Sequence, residues 1–190
     1  MNVIEIFISS ILNNNIALVF ILGMCPLIAI STSVKNAKGM GIAVVFVVTI
    51  TAVINYPIYK LLVATNTEFI SLIVFIITIA AVVQLLEIFL ERFIPKMYGA
   101  FGIFLPLITV NCVVLAVSLF FVNRDYTFAQ TVSFSFGSGV GWMLAIVLVA
   151  GLREKMAKIS NPPKGLQGKA IVFVVLGILA LAFMGFTGLV

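Results

Sequence analysis

The chain has 190 residues, of which 63% are hydrophobic and 9% charged, against about 25% charged in a soluble domain. That balance excludes a water-soluble globular fold and predicts one integral membrane domain over residues 1–190, with no room for a separate catalytic domain. The formal net charge of +5 does not point to nucleic acid, because the basic residues sit between apolar runs.

Histidine is absent, which removes the usual haem and non-haem iron ligand and the usual proton shuttle. Six stretches lack Asp, Glu, Lys and Arg: Ile6 to Val34, Gly39 to Tyr59, Phe69 to Leu86, Met97 to Asn123, Tyr126 to Leu152, and Ala170 to Val190. Their length and uniform apolarity predict six transmembrane helices and not barrel strands, which would be about ten residues long and alternate in polarity. The first run is expected to be a retained span, since Met1 to Glu5 carries no Lys or Arg and no small-residue cleavage site follows. Arg153 to Lys169, with Asn161-Pro162-Pro163, reads as an exposed loop.

Lys35, Lys38, Arg92, Lys96, Arg153, Lys155, Lys158, Lys164 and Lys169 fall in connections one, three and five, whereas the other side holds only Lys60 and Arg124. The positive-inside rule then puts both termini on the outer side of the membrane.

An internal repeat is visible. Gly39-Met40-Gly41 and Gly137-Ser138-Gly139 are 98 positions apart, as are Ile73-Val74-Phe75 and Ile171-Val172-Phe173. Pro26-Leu27-Ile28 and Pro106-Leu107-Ile108 match at 80, which requires a gap between the first spans. Three spans per half make the halves (about 1–92 and 93–190) inverted in the membrane. Spans one and four each contain a proline, and span one also Asn13-Asn14-Asn15, so both are expected to break near the midplane, where inverted-repeat proteins place their sites.

Each proline span also carries one of the two cysteines, Cys25 and Cys112. Thiolates are soft ligands for iron-sulfur clusters, copper(I) or zinc. Two cannot close a four-thiolate shell, so a metal site needs a second chain. Equally, a free Cys is commonly a small buried hydrophobe. Gln84, Glu87 and Glu91 share a face near the end of span three, either as a cation entry path or as interfacial anchors beside Arg92. Asn111 and Thr109 adjoin Cys112 and are placed to support that residue or to satisfy freed backbone. Gly137 and Gly141 have the small-xxx-small spacing of close helix packing.

Leu22-Gly23-Met24-Cys25-Pro26 and the run Gly102-Ile103-Phe104-Leu105-Pro106-Leu107-Ile108-Thr109-Val110-Asn111-Cys112 resemble the two cysteine motifs of the paralogous membrane subunits of the sodium-translocating NADH:quinone reductase (Nqr) and the Rnf complex. Phe136-Gly137-Ser138-Gly139-Val140-Gly141-Trp142-Met143-Leu144 and Gly151-Leu152-Arg153-Glu154-Lys155-Met156 are similar to the E-type branch of that family. Phe183-Met184-Gly185-Phe186-Thr187-Gly188 also resembles the A-type Rnf branch, which works with ferredoxin and NAD. The resemblance covers essentially the whole chain. It implies that Cys25 and Cys112 bind the iron of one [2Fe-2S] cluster jointly with a D-type sister subunit of opposite topology. It further implies a bacterial inner-membrane complex, completed by A-, B-, C- and F-type subunits, that oxidises NADH, reduces ubiquinone and exports sodium. NAD, flavins and quinone are then bound elsewhere in the complex, and this chain holds no complete active site. Apart from the resemblance, inverted halves with broken helices also describe a small secondary transporter, and inert cysteines a scaffold subunit.

Overall fold

A computed structural model describes residues 3–65, 67–93, 108–109, 111–159 and 170–185. The described residues form seven α-helices and no strand: α1 Val3–Ile11, α2 Met24–Ile30, α3 Val34–Ala64, α4 Ser71–Phe93, α5 Cys112–Asn123, α6 Phe128–Ile159 and α7 Ala170–Met184. Helices α3, α4 and α6 are each long and apolar enough to cross a membrane, while α5 and α7 are shorter apolar helices. The described residues are all-helical and of the membrane-protein class.

The helices outrun the charge-free stretches. Helix α3 starts at Val34 and takes in Lys35 and Lys38, and α6 continues through Arg153, Glu154, Lys155 and Lys158 to Ile159. The loop expected from Arg153 therefore begins later, because Arg, Glu, Lys and Met are strong helix formers that add turns to a helix already nucleated in apolar surroundings. Residues 160–169 lie outside the described residues.

Helices α3 and α6 form the centre. They run antiparallel, as two contacts show: a methyl group built on Gly41 would collide with the Met143 side chain, and one built on Gly139 would lie 2.9 Å from Val45 Cα. Small residues permit this approach where the absence of water leaves close packing as the main attraction between helices. Helix α1 packs on α6, with Gly137 against Ser10 and Phe7. Helices α4 and α5 pack on α3 through Tyr59–Phe75 and Tyr59–Phe121 ring contacts, with centroids 6.5 and 6.4 Å apart.

The core between these helices holds Trp142, Phe75, Phe121, Phe134, Met40 and Val44, Val47 and Val48 of α3, all almost fully buried. Ile42, Phe46, Ile77, Phe173 and Leu181 stand outward and more than half exposed, the pattern of side chains whose solvent is lipid. Lys35, Lys38, Arg92, Arg153, Lys155 and Lys158 gather at one end of the bundle, the end where the Val34 N–H donates to Glu154 Oε1 at 2.9 Å. Lys60 and Arg124 lie at the other end, over the rings of Tyr56 and of Phe120 and Phe134.

Candidate functional site

The first apolar stretch is not one helix. Between α1 and α2 the chain leaves helical geometry over residues 12–23, with Ile21 at φ 55° and Gly23 at φ 77°. A buried open segment must find partners for its backbone, and Asn15 supplies several. Its Nδ2 donates to Ile11 O and to Gly141 O, both at 3.0 Å. Its Oδ1 accepts from the N–H groups of Ala17 and Leu18 at 3.0 and 3.3 Å. Asn15 is wholly buried, so the end of the Asn triplet acts as a structural closure and not as a solvated turn; Asn14 adds a bond from Nδ2 to Ser9 Oγ at 2.9 Å.

The chain re-enters helix at Met24-Cys25-Pro26. Proline suits a first helical turn, where its missing N–H would have no intrahelical partner. The left-handed Gly23 just before it is tightly enclosed: a Cβ there would lie 2.5 Å from Val113 Cγ2, 2.6 Å from Trp142 Nε1 and 3.1 Å from Asn111 Oδ1. Trp142 Nε1 in turn donates to Gly23 O at 3.3 Å. Only a residue without a side chain fits both that φ and that space.

The second cysteine sits in an equivalent place. Cys112 is the first residue of α5, and Asn111 caps the helix, its Oδ1 accepting from Val113 N at 3.1 Å. Ile108 and Thr109 are helical and precede this cap, with the Asn111 N–H donating to Ile108 O at 3.1 Å. Residues 94–107, including the expected break at Pro106, lie outside the described residues.

Gly23 thus lies against the two residues that flank Cys112, and Gly23 itself is two residues before Cys25. The fold brings the two cysteine motifs together although they are 87 positions apart. Both thiols are free and exposed on the surface of the single chain, while Asn111 and Val113 are buried. The Asn111 Nδ2 group is buried and has no hydrogen-bond partner among the described residues. Among the described residues no group of three or more His, Cys, Asp or Glu side chains is placed to hold a metal. Two thiols here are at most half of a thiolate cage.

Gln84, Glu87 and Glu91 lie on α4, with Gln84 and Glu91 exposed and Glu87 half-buried. They lie on the C-terminal half of α4, toward the basic end of the bundle. Four residues of the cysteine-bearing region lie in stretches that the sequence marks, but their roles come only from tertiary contacts: Asn15 as a partner of open backbone, and Gly23, Trp142 and Arg153 as supports of the segment around α2. Arg153 Nη1 donates to Ile28 O at 3.1 Å and to Ser31 Oγ at 2.8 Å, at the far end of α2.

Known membrane subunits are similar to this chain along its whole length. A family model described as "Rnf-Nqr subunit, membrane protein" matches residues 3–190. The chain is 47% identical over 199 aligned positions, covering 99% of its length and 98% of the relative, to the E subunit of the Na(+)-translocating NADH-quinone reductase of Maridesulfovibrio salexigens.

Proposed function

The chain belongs to the Rnf-Nqr family of membrane subunits, and from that premise we propose that it is the electron-carrying E-type subunit of a sodium-translocating NADH:ubiquinone reductase. In this reading Cys25 and Cys112 hold one [2Fe-2S] cluster together with two cysteines of a D-type sister subunit of opposite topology. The observation that carries it is the seating of Gly23 against Asn111 and Val113, which joins the two cysteine segments while leaving both thiols open to a neighbour.

The residues present fit such a group. The donors are soft thiols, each in the first turn of a restarted helix. The unpartnered Asn111 Nδ2 supplies a buried donor of the kind that tunes iron-sulfur centres. Trp142, Val113 and the surrounding core exclude water from the inner side of the site. When bound, the cluster supplies reversible one-electron transfer between a cytoplasmic ferredoxin-like centre and a flavin towards the outer side.

The inverted-repeat organisation belongs to the same proposal. It is supported by the reciprocal contacts of Gly41 with Met143 and of Gly139 with Val45, since 41 to 139 and 45 to 143 are both steps of 98. Two related elements that exchange contacts in this way are disposed about a two-fold axis. The gathering of basic residues at one end supports the bacterial inner-membrane orientation with both termini outside. NAD, flavins and quinone are bound elsewhere in the complex, and Gln84, Glu87 and Glu91 either anchor α4 at the interface beside Arg92 or line a cation entry path.

The test is iron and sulfide analysis with electron paramagnetic resonance of the co-purified complex. Cys25→Ala and Cys112→Ala are each expected to remove one cluster signal and quinone reduction while the subunits still assemble. Intact spectra and turnover in both variants would end the redox reading.

A further inference from the structure

The 98-residue step that relates α3 to α6 carries Asn55 onto Arg153. These two side chains do the same thing. Asn55 Nδ2 donates to Ser118 Oγ at 2.8 Å, and Arg153 Nη1 donates to Ser31 Oγ at 2.8 Å. The serines are equivalent as well: Ser31 follows Cys25 by six residues and Ser118 follows Cys112 by six, so both pairs are 87 apart. Both hydroxyls belong to fully buried residues. The equivalence of the first spans therefore runs through the cysteines at a step of 87, where the proline match had suggested 80.

We infer that Asn55 and Arg153 are paired positioning residues, each holding through one serine the half-helix that presents one cysteine. The inference rests on the reading of Cys25 and Cys112 as ligands. Six residues of helix span about 9 Å, so each bond fixes the far end of a short rod whose near end is the thiol. A slip or rotation of the rod displaces the sulfur, and this single bond resists it from within the core.

The two clamps differ because their rods differ. Helix α2 stops at Ile30 and Ser31 is its C-cap, which leaves Ile28 O available; the Arg153 guanidinium takes that carbonyl too, at 3.1 Å. A cation is favoured at this end of a helix. Helix α5 continues past Ser118 to Asn123, so its carbonyls are engaged within the helix and no such acceptor is open. Asn55 and Ser118 are both enclosed by the core, where an unpaired charge would cost far more than a neutral amide, even one whose Oδ1 has no partner among the described residues. Ser118 Oγ donates to Val114 O at 3.2 Å, which orients its lone pairs to accept from Asn55. The same position is filled by a charge at the basic end and by an amide at the other. Trp142 adds a second hold on the near end of α2 alone.

The inference is tested on the assembled complex in membranes, by the rate at which N-ethylmaleimide labels each cysteine, read separately by peptide mass spectrometry. Ser31→Ala and Arg153→Lys are expected to raise labelling of Cys25 about fivefold, the change that loss of one hydrogen bond implies, and to leave Cys112 unchanged. Ser118→Ala and Asn55→Ala are expected to do the reverse. The double variant Asn55→Ala/Ser118→Ala should label no faster than the faster single variant, because both remove one bond, and Ser118→Thr should restore the parental rate. Equal changes at both cysteines in every variant, or no change in a complex that still co-purifies with its partner, would overturn the clamps. Iron content of the parental complex is measured alongside: an iron-free complex that keeps the selective labelling pattern overturns the ligand reading and supports the clamps, whereas an iron-loaded complex without that pattern overturns the clamps alone.

Discussion

Trp142 and Gly23 are joined by one hydrogen bond, from the indole Nε1 to the glycine carbonyl at 3.3 Å. It ties the middle of the longest helix to the residue at which the first span turns back into helix. Both residues are buried, so neither group has water as an alternative partner. Trp142→Phe keeps most of the apolar volume but removes one of two hydrogen bonds to the Gly23 carbonyl, which as the N-cap of α2 also accepts the first intrahelical bond. The expected cost is about 0.5–1.5 kcal/mol for one lost hydrogen bond, seen as a lower thermal midpoint of the detergent-solubilised protein. A midpoint equal to that of the parent would mean that packing alone holds the 12–23 segment.

Glycines at the centre and at the edge of the bundle should respond in opposite ways. Gly139→Leu drives a side chain into Val45 and forces α3 and α6 apart, so loss of folded protein from the membrane is expected. Gly151→Ala adds a methyl group with nothing within 4 Å, and the better helix propensity of alanine should stabilise α6 by up to about 1 kcal/mol. Expression level and thermal midpoint read both. Similar behaviour of the two variants would contradict the close approach of α3 and α6.

The strip on α4 separates its two readings by sodium dependence. If Glu87 and Glu91 admit cations, Glu87→Gln with Glu91→Gln raises the sodium concentration that half-saturates turnover severalfold and leaves turnover at high sodium intact. Interfacial anchors would instead leave the sodium dependence unchanged and lower only the amount of complex in the membrane. Turnover of membranes titrated with sodium chloride at constant ionic strength distinguishes them.

Much of the fold was legible from particular residues. The charge-free runs located α3, α4 and α6, because a lipid-facing helix tolerates almost no ionised side chains over its crossing length. Pro26 and the Asn triplet marked the broken first span, since proline and side-chain amides both disrupt the i to i−4 ladder. The helix ends were less legible: charge-free runs end at the membrane surface, while α3 and α6 carry their hydrogen bonding on into water through Lys35 and Lys38 and through Arg153 to Lys158. The serines six residues after each cysteine were readable as a repeated spacing, but a serine in an apolar run has no visible purpose until its donor is known.

Sequence by itself determined that this chain belongs in lipid, where α3, α4 and α6 run and which residues break the first span, because those properties follow from the cost of placing charge and open backbone in a dry medium. Tertiary structure alone decided that Gly23 meets Asn111 and Val113, that Asn15 closes the gap between α1 and α2, and that Asn55 and Arg153 reach equivalent serines. Each of these pairings joins residues far apart in the chain or satisfies a buried polar group. Only the packing of α3 against α6 sets which groups come within hydrogen-bond reach once water is gone.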